Sequence, residues 1–142
     1  MRITKIEPQK NKNRLNIFID DKFALSLDDE VAYKYKLELD MEIDDDFIEK
    51  ILIAEEEKKA INYALRLLSI RPRSEKEIRD ALKRRGYNEN IIENTINLCK
   101  EKDYINDRKF AETFIRDKIN FSKYGPERIK YELKLKGISD DI

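Results

Sequence analysis

The chain has 142 residues, of which 42% are charged and 40% are hydrophobic, a balance typical of a soluble protein with a narrow core. It contains no histidine and one cysteine, Cys99, which excludes imidazole catalysis, histidine metal ligands, an internal disulfide and a cysteine-rich zinc site. Its three glycines form no phosphate-binding loop. We therefore expect a binding protein rather than an enzyme, with no cofactor and no metal.

The net charge of zero conceals three segments of different sign. Residues 1–27 hold six Lys or Arg against three Asp or Glu, residues 28–57 hold three against thirteen, and residues 58–142 hold 21 against 14. Such segregation can create a strong local potential, although solvated surface is the simpler interpretation of any single cluster. The chain shows neither an apolar signal core nor the ~20 apolar residues of a membrane span, and we expect a cytoplasmic protein.

The first 27 residues alternate between apolar and polar side chains, which predicts an antiparallel sheet of two or three strands. The polar stretch QKNKN, residues 9–13, marks a loop, and Asp20-Asp21 marks a tight turn. One strand is expected to place Leu15, Ile17 and Ile19 on one face, and the next strand Phe23, Leu25 and Leu27.

Helical periodicity follows the strands. A short helix is predicted after Asp28 or Asp29 as its cap. From Asp44 onwards, apolar residues recur at helical spacing, with predicted core stripes that include Leu52 and Leu65; the segments on either side of Glu56 form either one long helix or two joined helices. The carboxylates of residues 44–46 fit a helix N-terminus better than a cation site, because the ligand spacing and turn glycine of a calcium loop are missing.

The second half nearly repeats itself at an offset of about 51 residues. Residues 74–87 (SEKEIRDALKRRGY) align with residues 125–138 (GPERIKYELKLKGI). The first repeat is predicted to have helices at 58–71, 74–86 and 89–103, and the second at 107–121 and 125–137, with no third helix. Helix caps are predicted at Ser74 with Glu77 as a capping box, at Asn88 and at Asn106 or Asp107, and glycine ends at Gly86 and Gly137.

These elements predict a mainly α fold of tandem three-helix repeats in an elongated array, with a small N-terminal antiparallel β-hairpin or sheet. The predicted boundaries are 1–57 for the strand-rich N-terminal element, 58–104 for the first repeat and 105–142 for the incomplete second repeat. Stacked helical units form long surfaces that grip long partners.

Basic residues recur at matching positions of the two repeats. Lys76, Arg79 and Lys83 are spaced to share an exposed helix face that could meet phosphates or carboxylates, although duplication copies neutral surface as well. The candidate partner-binding residues are Arg71, Arg73, Lys76, Arg79, Lys83, Arg84, Arg85, Arg128, Lys130, Lys134 and Lys136.

The remaining candidates are better explained by packing. Cys99 lies on an apolar helix stripe and is expected to be a core thiol. Tyr87 and Tyr104 end helices and are expected to pack at helix corners rather than to stack on bases. One helix is predicted to bury Phe110, Ala111, Phe114, Ile115 and Ile119. Without a third helix in the second repeat, an exposed apolar patch and self-association are expected at Phe110, Phe114, Ile129 and Leu133.

Three runs in this order resemble the RecX regulatory proteins of bacteria: RLLSIRPRSEKEIRDALKRRGY, DYINDRKFAETFIRDK and KYGPERIKYELKLKGI. The start, ITKIEPQKNKNRLNIFIDDKFALSL, is similar to the strand-rich start of some members. The resemblance covers essentially the whole chain. Members usually continue further, completing the second unit and adding a third, so we expect either a shortened chain or a short member.

The resemblance implies a regulator that binds RecA recombinase filaments on DNA and inhibits their assembly, ATPase and strand exchange, with roles in homologous recombination, DNA repair and the SOS response. DNA contact is expected directly or through the filament. The family offers no catalytic residues to transfer. The alternative is a helix-turn-helix-like module that acts on nucleic acid directly.

Overall fold

The computed structural model of the chain describes residues 1–10 and 13–140 and divides into two compact units, residues 1–59 and residues 60–142. The first unit carries an antiparallel sheet in the order β1-β2-β3. Its strands are β1 (Ile3–Pro8), β2 (Arg14–Ile19) and β3 (Lys22–Asp28). The three-stranded antiparallel sheet confirms the predicted strands, while the predicted loop at 9–13 includes residues 11 and 12, which lie outside the described residues.

The turn between β2 and β3 forms at Asp20-Asp21, where both residues have positive φ, +50° and +68°. A type I′ hairpin turn requires this conformation at both central residues. Beyond the turn, Ile17 pairs with Leu25 but Phe18 pairs with Phe23, so β3 bulges by one residue. The bulge reverses which face the first residues of β3 occupy. The prediction that Phe23 shares a face with Leu25 and Leu27 is therefore wrong, and Phe23 is 58% exposed.

The core of the first unit lies between the sheet and two helices. Ile3, Ile17 and Leu27 are almost fully buried, and they form one cluster with Val31 and Ile51. Helix α1 (Asp29–Lys34) supplies Val31. The Asp28 side chain accepts a hydrogen bond from the Glu30 amide at 2.9 Å, which confirms a cap at the predicted place.

Helix α2 (Asp45–Ile70) is one continuous helix, which decides between the two alternatives at Glu56. Its start is fixed by Asp44, whose side chain accepts a hydrogen bond from the Phe47 amide at 2.8 Å. Leu52 and Leu65 are 44% and 36% exposed, so they do not belong to the predicted core stripes. The helix runs through residue 58, where the sequence predicted a helix to begin, because no proline or glycine interrupts residues 45–70.

A buried carboxylate ties the sheet to α2 in the first unit. The Glu55 side chain is only 4% exposed and forms an ion pair with Arg14 of β2 at 2.8 Å. It also accepts a hydrogen bond from the Asp28 amide at 2.9 Å. A buried charge is tolerated only when it is paired and hydrogen-bonded, and Glu55 meets both conditions.

The second unit contains the C-terminal part of α2 and the following elements: α3 (Glu75–Arg84), α4 (Glu89–Glu101), α5 (Asp107–Asp117), a π-helical turn (Lys118–Ser122) and α6 (Pro126–Leu135). Helices α3 to α6 begin within one residue of the predicted positions. The π-helical turn was not predicted; it occupies the end of the segment expected to be helical up to residue 121.

The predicted helix caps and the glycines that follow two helices of the second unit are confirmed. Ser74 and Glu77 form both hydrogen bonds of a capping box at α3. Asn88 caps α4 by accepting from the Ile91 amide at 2.9 Å, and Asn106 caps α5 by accepting from the Lys109 amide at 3.1 Å. Gly86 and Gly137 follow α3 and α6 with φ of +88° and +80°, the left-handed conformation that favours glycine after a helix.

Two apolar clusters stabilise the second unit. The larger one joins α2, α3 and α4, and burial raises the pKa of its single thiol, Cys99, which confirms the predicted core role. The smaller one contains Phe110, Ala111 and Ile138, with Phe114 and Leu133 packed against them. The largest buried side chains of the larger cluster are Ile78, Leu82, Ile92, Ile96 and Cys99.

Candidate partner-binding surface

The N-terminus of α3 is joined to the C-terminus of α6. Ser74 is fully buried, and its hydroxyl donates a hydrogen bond to the Lys136 carbonyl at 2.8 Å. The Lys76 ammonium donates to the Leu135 carbonyl at 3.2 Å. The last carbonyls of a helix have no partners within the helix, so these donors satisfy groups that α6 cannot satisfy alone. Lys76 is therefore engaged inside the second unit.

Glu77 forms ion pairs with two of the candidate cations at the same junction. Its carboxylate lies 3.1 Å from Arg71 and 3.4 Å from Lys136. Burial alone would raise the pKa of Glu77, but the hydrogen bond from the Ser74 amide and the charges of Arg71 and Lys136 outweigh it and hold that pKa below its usual value. Arg71 and Lys136 thus have an internal counter-charge.

The two central cations of the first repeat pair with α4. Arg79 is half-buried and forms ion pairs with Glu93 and with Glu75, and Lys83 lies 3.8 Å from Glu89. The hydrogen bond to Glu93 raises the pKa of Arg79, against the opposing effect of its burial. The sequence predicted an exposed face for this row; in the structure, the carboxylates of α4 lie beside it.

The remaining cations of the first repeat differ in environment. Arg85 stacks its guanidinium 4.0 Å from the centre of the Tyr63 ring, a cation–π contact. The Nε of Arg73 is buried and finds no hydrogen-bond partner among the described residues. Arg84 is exposed and makes no ion pair with the described part of the chain.

In the second repeat, Lys130 and Lys134 are both exposed on α6, and neither makes an ion pair within residues 1–10 and 13–140. Arg128 differs from them, since it lies 3.4 Å from Glu132 and 3.6 Å from the centre of the Tyr124 ring. The repeat pairs Arg79 with Lys130 and Lys83 with Lys134. The cations at these two positions therefore have carboxylate partners in the first repeat and make no ion pair with the described residues in the second.

A cation–aromatic cluster that the sequence did not predict lies beside the π-helical turn. The Lys118 ammonium lies 5.3 Å from the Phe114 ring centre and 5.0 Å from the Tyr124 ring centre. Phe121, at the outside of the turn, is 82% exposed. The sequence shows three aromatic residues interleaved with lysines over residues 114–124. It does not indicate the π-helical turn that brings Lys118 to both rings.

The apolar surface lies beside the predicted patch rather than on it. Phe110 and Ile129 are 8% and 6% exposed, and Phe114 and Leu133 are half-buried. Phe110, Phe114 and Leu133 pack in one cluster with Ile138. The prediction that these four residues form the exposed patch is wrong. The outward surface includes Ile115 and Ile119, 37% and 53% exposed, which had been predicted to be buried.

The two tyrosines have different roles. Tyr87 packs against the larger apolar cluster, which confirms its predicted role at a helix corner. Tyr104 is 50% exposed and follows Asp103, whose φ is +60°. Among the described residues, no group of three or more His, Cys, Asp or Glu could hold a metal ion, and no helix is long and apolar enough to cross a bilayer.

Three known protein domains match this chain in order. Residues 1–44 match the regulatory protein RecX N-terminal domain, residues 60–98 the RecX first three-helix domain, and residues 106–142 the RecX second three-helix domain. The chain belongs to the RecX family of regulatory proteins. Membership confirms the family resemblance and the mainly α architecture, and it supports a regulatory role.

Two curated relatives and one solved structure match nearly the whole chain, and a second solved structure matches part of it. The regulatory protein RecX of Clostridium perfringens strain 13 is 39% identical over 99% of this chain, and that of Listeria monocytogenes strain HCC23 is 41% identical over 100%. A crystal structure of regulatory protein RecX superposes with a TM-score of 0.86 at 32% identity, covering 99% of this chain and 69% of that one. RecX from Lactobacillus salivarius gives a TM-score of 0.60 at 39% identity, covering 62% of this chain and 57% of that one.

The chain is shorter than these relatives. It spans 66% of the Clostridium RecX protein and 53% of the Listeria one. The partners and activities of a whole RecX protein therefore enter only as proposals for this chain, and the predicted boundaries at residues 57 and 104 stay predictions.

Proposed function

We propose that this chain binds RecA recombinase filaments on DNA and restrains their assembly, ATP hydrolysis and strand exchange. The observation that carries the proposal is the ordered match of three RecX domains along one chain. The RecX resemblance implies this partner, and with it a cytoplasmic place in homologous recombination, DNA repair and the SOS response. The chain would act by binding, without a catalytic step of its own.

The charge distribution supports a contact with an acidic or phosphate-bearing surface. Arg84, Lys130 and Lys134 are exposed cations with no counter-charge in the described structure, so a partner can neutralise them without first breaking an internal ion pair. We propose these three as the first contacts. The other eight candidate cations remain proposed contacts, but most of them already have a carboxylate, carbonyl or ring beside them and would have to exchange or share it.

The test is RecA ATP hydrolysis on single-stranded DNA, with and without the 142-residue chain. We expect hydrolysis to fall at substoichiometric amounts of the chain, because a regulator of a filament acts on many protomers at once. The variant Arg84→Glu/Lys130→Glu/Lys134→Glu should weaken the inhibition. The matched control, Lys10→Glu/Lys22→Glu/Lys50→Glu, reverses three exposed cations in the first unit and should leave inhibition unchanged.

The alternative, a module that binds nucleic acid directly, is tested with the same proteins on bare DNA. Direct binding without RecA, with an affinity that falls steeply as salt is raised, would favour it. Undiminished ATP hydrolysis together with such binding would refute the filament proposal. If the triple variant inhibits as strongly as the unchanged chain, the RecA filament stays the proposed partner, but the three proposed contacts are refuted.

A further inference from the structure

One tyrosine ring in the second unit carries two arginine side chains. The guanidinium carbon of Arg85, which directly follows α3, lies 4.0 Å from the centre of the Tyr63 ring, and that of Arg66 lies 5.3 Å from the same point. Tyr63 and Arg66 are about one turn apart on α2. The two guanidinium carbons are therefore separated by no more than the sum of these two distances, which places two positive charges side by side.

Neither guanidinium has a carboxylate partner in the described part of the chain. Arg66 and Arg85 are exposed, and neither forms an ion pair with the residues that the structure describes. On the neighbouring helix α4, Glu89 is already paired with Lys83. A guanidinium group keeps its charge at any pH that a protein tolerates, and the face of an aromatic ring offsets that charge only in part. The two arginines therefore form a site that attracts an anion.

The second repeat copies the ring with two cations but not its free charge. Shifted by 51 residues, the ring and the two arginines correspond to Phe114, Asp117 and Lys136. Lys136 and Lys118 lie 5.9 Å and 5.3 Å from the centre of the Phe114 ring. Lys136 is already paired with Glu77, however, and Asp117 lines the same pocket as both lysines. Of the two equivalent places, the first repeat alone holds two guanidinium groups with no carboxylate among the described residues.

The geometry of a guanidinium group selects the kind of anion. Its N–H donors form a planar fork that fits two oxygens of one anion. A single fork saturates one edge of a carboxylate, which has only two oxygens. A phosphate group has oxygens on several edges and can accept hydrogen bonds from two forks at once. Two unpaired forks beside one ring therefore fit a phosphate group better than a carboxylate.

We propose that Arg66 and Arg85, oriented by the Tyr63 ring, form a phosphate-binding site. The phosphate group lies between the two guanidinium forks and accepts hydrogen bonds from both. A nucleic-acid backbone and a free phosphate compound such as pyrophosphate present the same oxygens to this site. Arg66 lies outside the row of cations that the sequence indicated. The site goes beyond the proposed action on RecA filaments and does not depend on it.

The experiment measures the binding of inorganic pyrophosphate to the 142-residue chain at low salt, with no recombinase present. NMR signals of the arginine Nε–H groups report on the site directly, and we expect saturable shift changes at Arg66 and Arg85. Arg66→Gln/Arg85→Gln should weaken binding at least about tenfold, because hydrogen bonds from charged donors are lost. The matched control, Arg108→Gln/Arg116→Gln, removes two exposed arginine charges from α5 in the same unit and should leave the affinity nearly unchanged.

Two further comparisons test the geometry of the site rather than its charge. Arg66→Lys/Arg85→Lys keeps both charges but replaces each fork by a point charge, so binding should stay weaker than in the unchanged chain. Tyr63→Phe keeps the ring and should leave binding unchanged, whereas Tyr63→Leu removes the ring face and should weaken binding severalfold. Because Tyr63 packs against the larger apolar cluster, circular dichroism establishes that Tyr63→Leu is folded.

Titrations with a short oligothymidylate and with succinate identify the source of the oxygens. If the oligothymidylate also binds and Arg66→Gln/Arg85→Gln weakens that binding, the site takes the phosphates of a nucleic acid. If pyrophosphate alone depends on the two arginines, the site takes a free phosphate group, and either result supports the proposal. Succinate bound as tightly as pyrophosphate would refute phosphate recognition and indicate an acidic protein as the partner. Absence of pyrophosphate binding, or binding that neither shifts the two arginine signals nor responds to their substitution, refutes the site.

Discussion

Alanine substitutions at two equivalent glycines should have unequal costs. Gly86 and Gly137 occupy the same place after α3 and α6, with φ of +88° and +80°. A Cβ at Gly86 would meet nothing within 4 Å, whereas a Cβ at Gly137 would lie 2.6 Å from the Cβ of Lys76. Gly86→Ala should therefore cost only the left-handed backbone conformation, roughly 1–2 kcal/mol. Gly137→Ala adds a steric overlap between two Cβ atoms that no rotamer change relieves. This overlap should cost roughly a further 1–3 kcal/mol of stability.

The assay is urea unfolding of both variants, supported by amide hydrogen exchange. We expect the lower midpoint for Gly137→Ala, and faster exchange of the Ile138 amide, which bonds to the Leu133 carbonyl at 3.1 Å. Moving α6 away from α3 would also weaken the Ser74 hydrogen bond to the Lys136 carbonyl. A cost for Gly137→Ala no greater than that for Gly86→Ala would refute the close approach of Lys76.

A double-mutant cycle isolates the close approach from other effects. Lys76→Gly removes the Cβ and the rest of the side chain that Gly137→Ala would meet. By itself it lowers stability by about 1–2 kcal/mol, because glycine is a poor helix former and the hydrogen bond from Lys76 to the Leu135 carbonyl is lost. In that background the added cost of Gly137→Ala should fall to the cost of Gly86→Ala. If the two substitutions at 76 and 137 are simply additive, the contact does not determine the difference.

Three further outcomes are expected. Arg14→Ala should destabilise the first unit by about 3 kcal/mol in urea unfolding, because the Glu55 carboxylate would remain buried without its cation; equal stability would contradict this. The pKa of Glu77 is lowered on folding, so its contribution to stability is complete above its ordinary value of 4.5 and is lost as the pH falls below it. Glu77→Gln should therefore flatten the stability profile in that acidic range, and an unchanged slope would contradict the pairing. Cys99, which is fully buried, should react with a thiol reagent only as fast as the second unit opens, so that rapid labelling of the native chain would argue against its place in the core.

Elements controlled by neighbouring residues could be predicted from the sequence. The capping box at Ser74, the cap at Asn88 and the positive φ at Gly86 each depend on a few adjacent residues. The position of Phe23 could not be predicted in the same way. The alternation in β3 is regular as written, and only the pairing with β2 reveals the bulge that moves Phe23 to the exposed face. A register shift depends on two strands at once, so one strand's pattern does not contain it.

The candidate surface was predictable in its composition but not in its electrostatics. The row of cations is plain in the sequence, yet the residues that neutralise it lie on other elements: Glu93 on α4 for Arg79, and the C-terminal carbonyls of α6 for Lys76. The apolar surface shows the same limit. The sequence predicted that one helix buries both Phe110 and Ile119, but the packing of α5 against α6 leaves Ile119 exposed and Phe110 buried.

Equivalent cations therefore have different surroundings in the two repeats. Arg79 and Lys83 have carboxylates supplied by α4, so reversing their charge would first disturb the packing of α3 on α4, and any loss of partner binding would be ambiguous. Lys130 and Lys134 have the same spacing without the carboxylates. Reversing their charge tests recognition with little effect on the fold. The filament experiment uses this pair of lysines. If Lys130→Glu/Lys134→Glu keeps the urea midpoint of the unchanged chain but loses inhibition of RecA ATP hydrolysis, the loss belongs to recognition and not to folding.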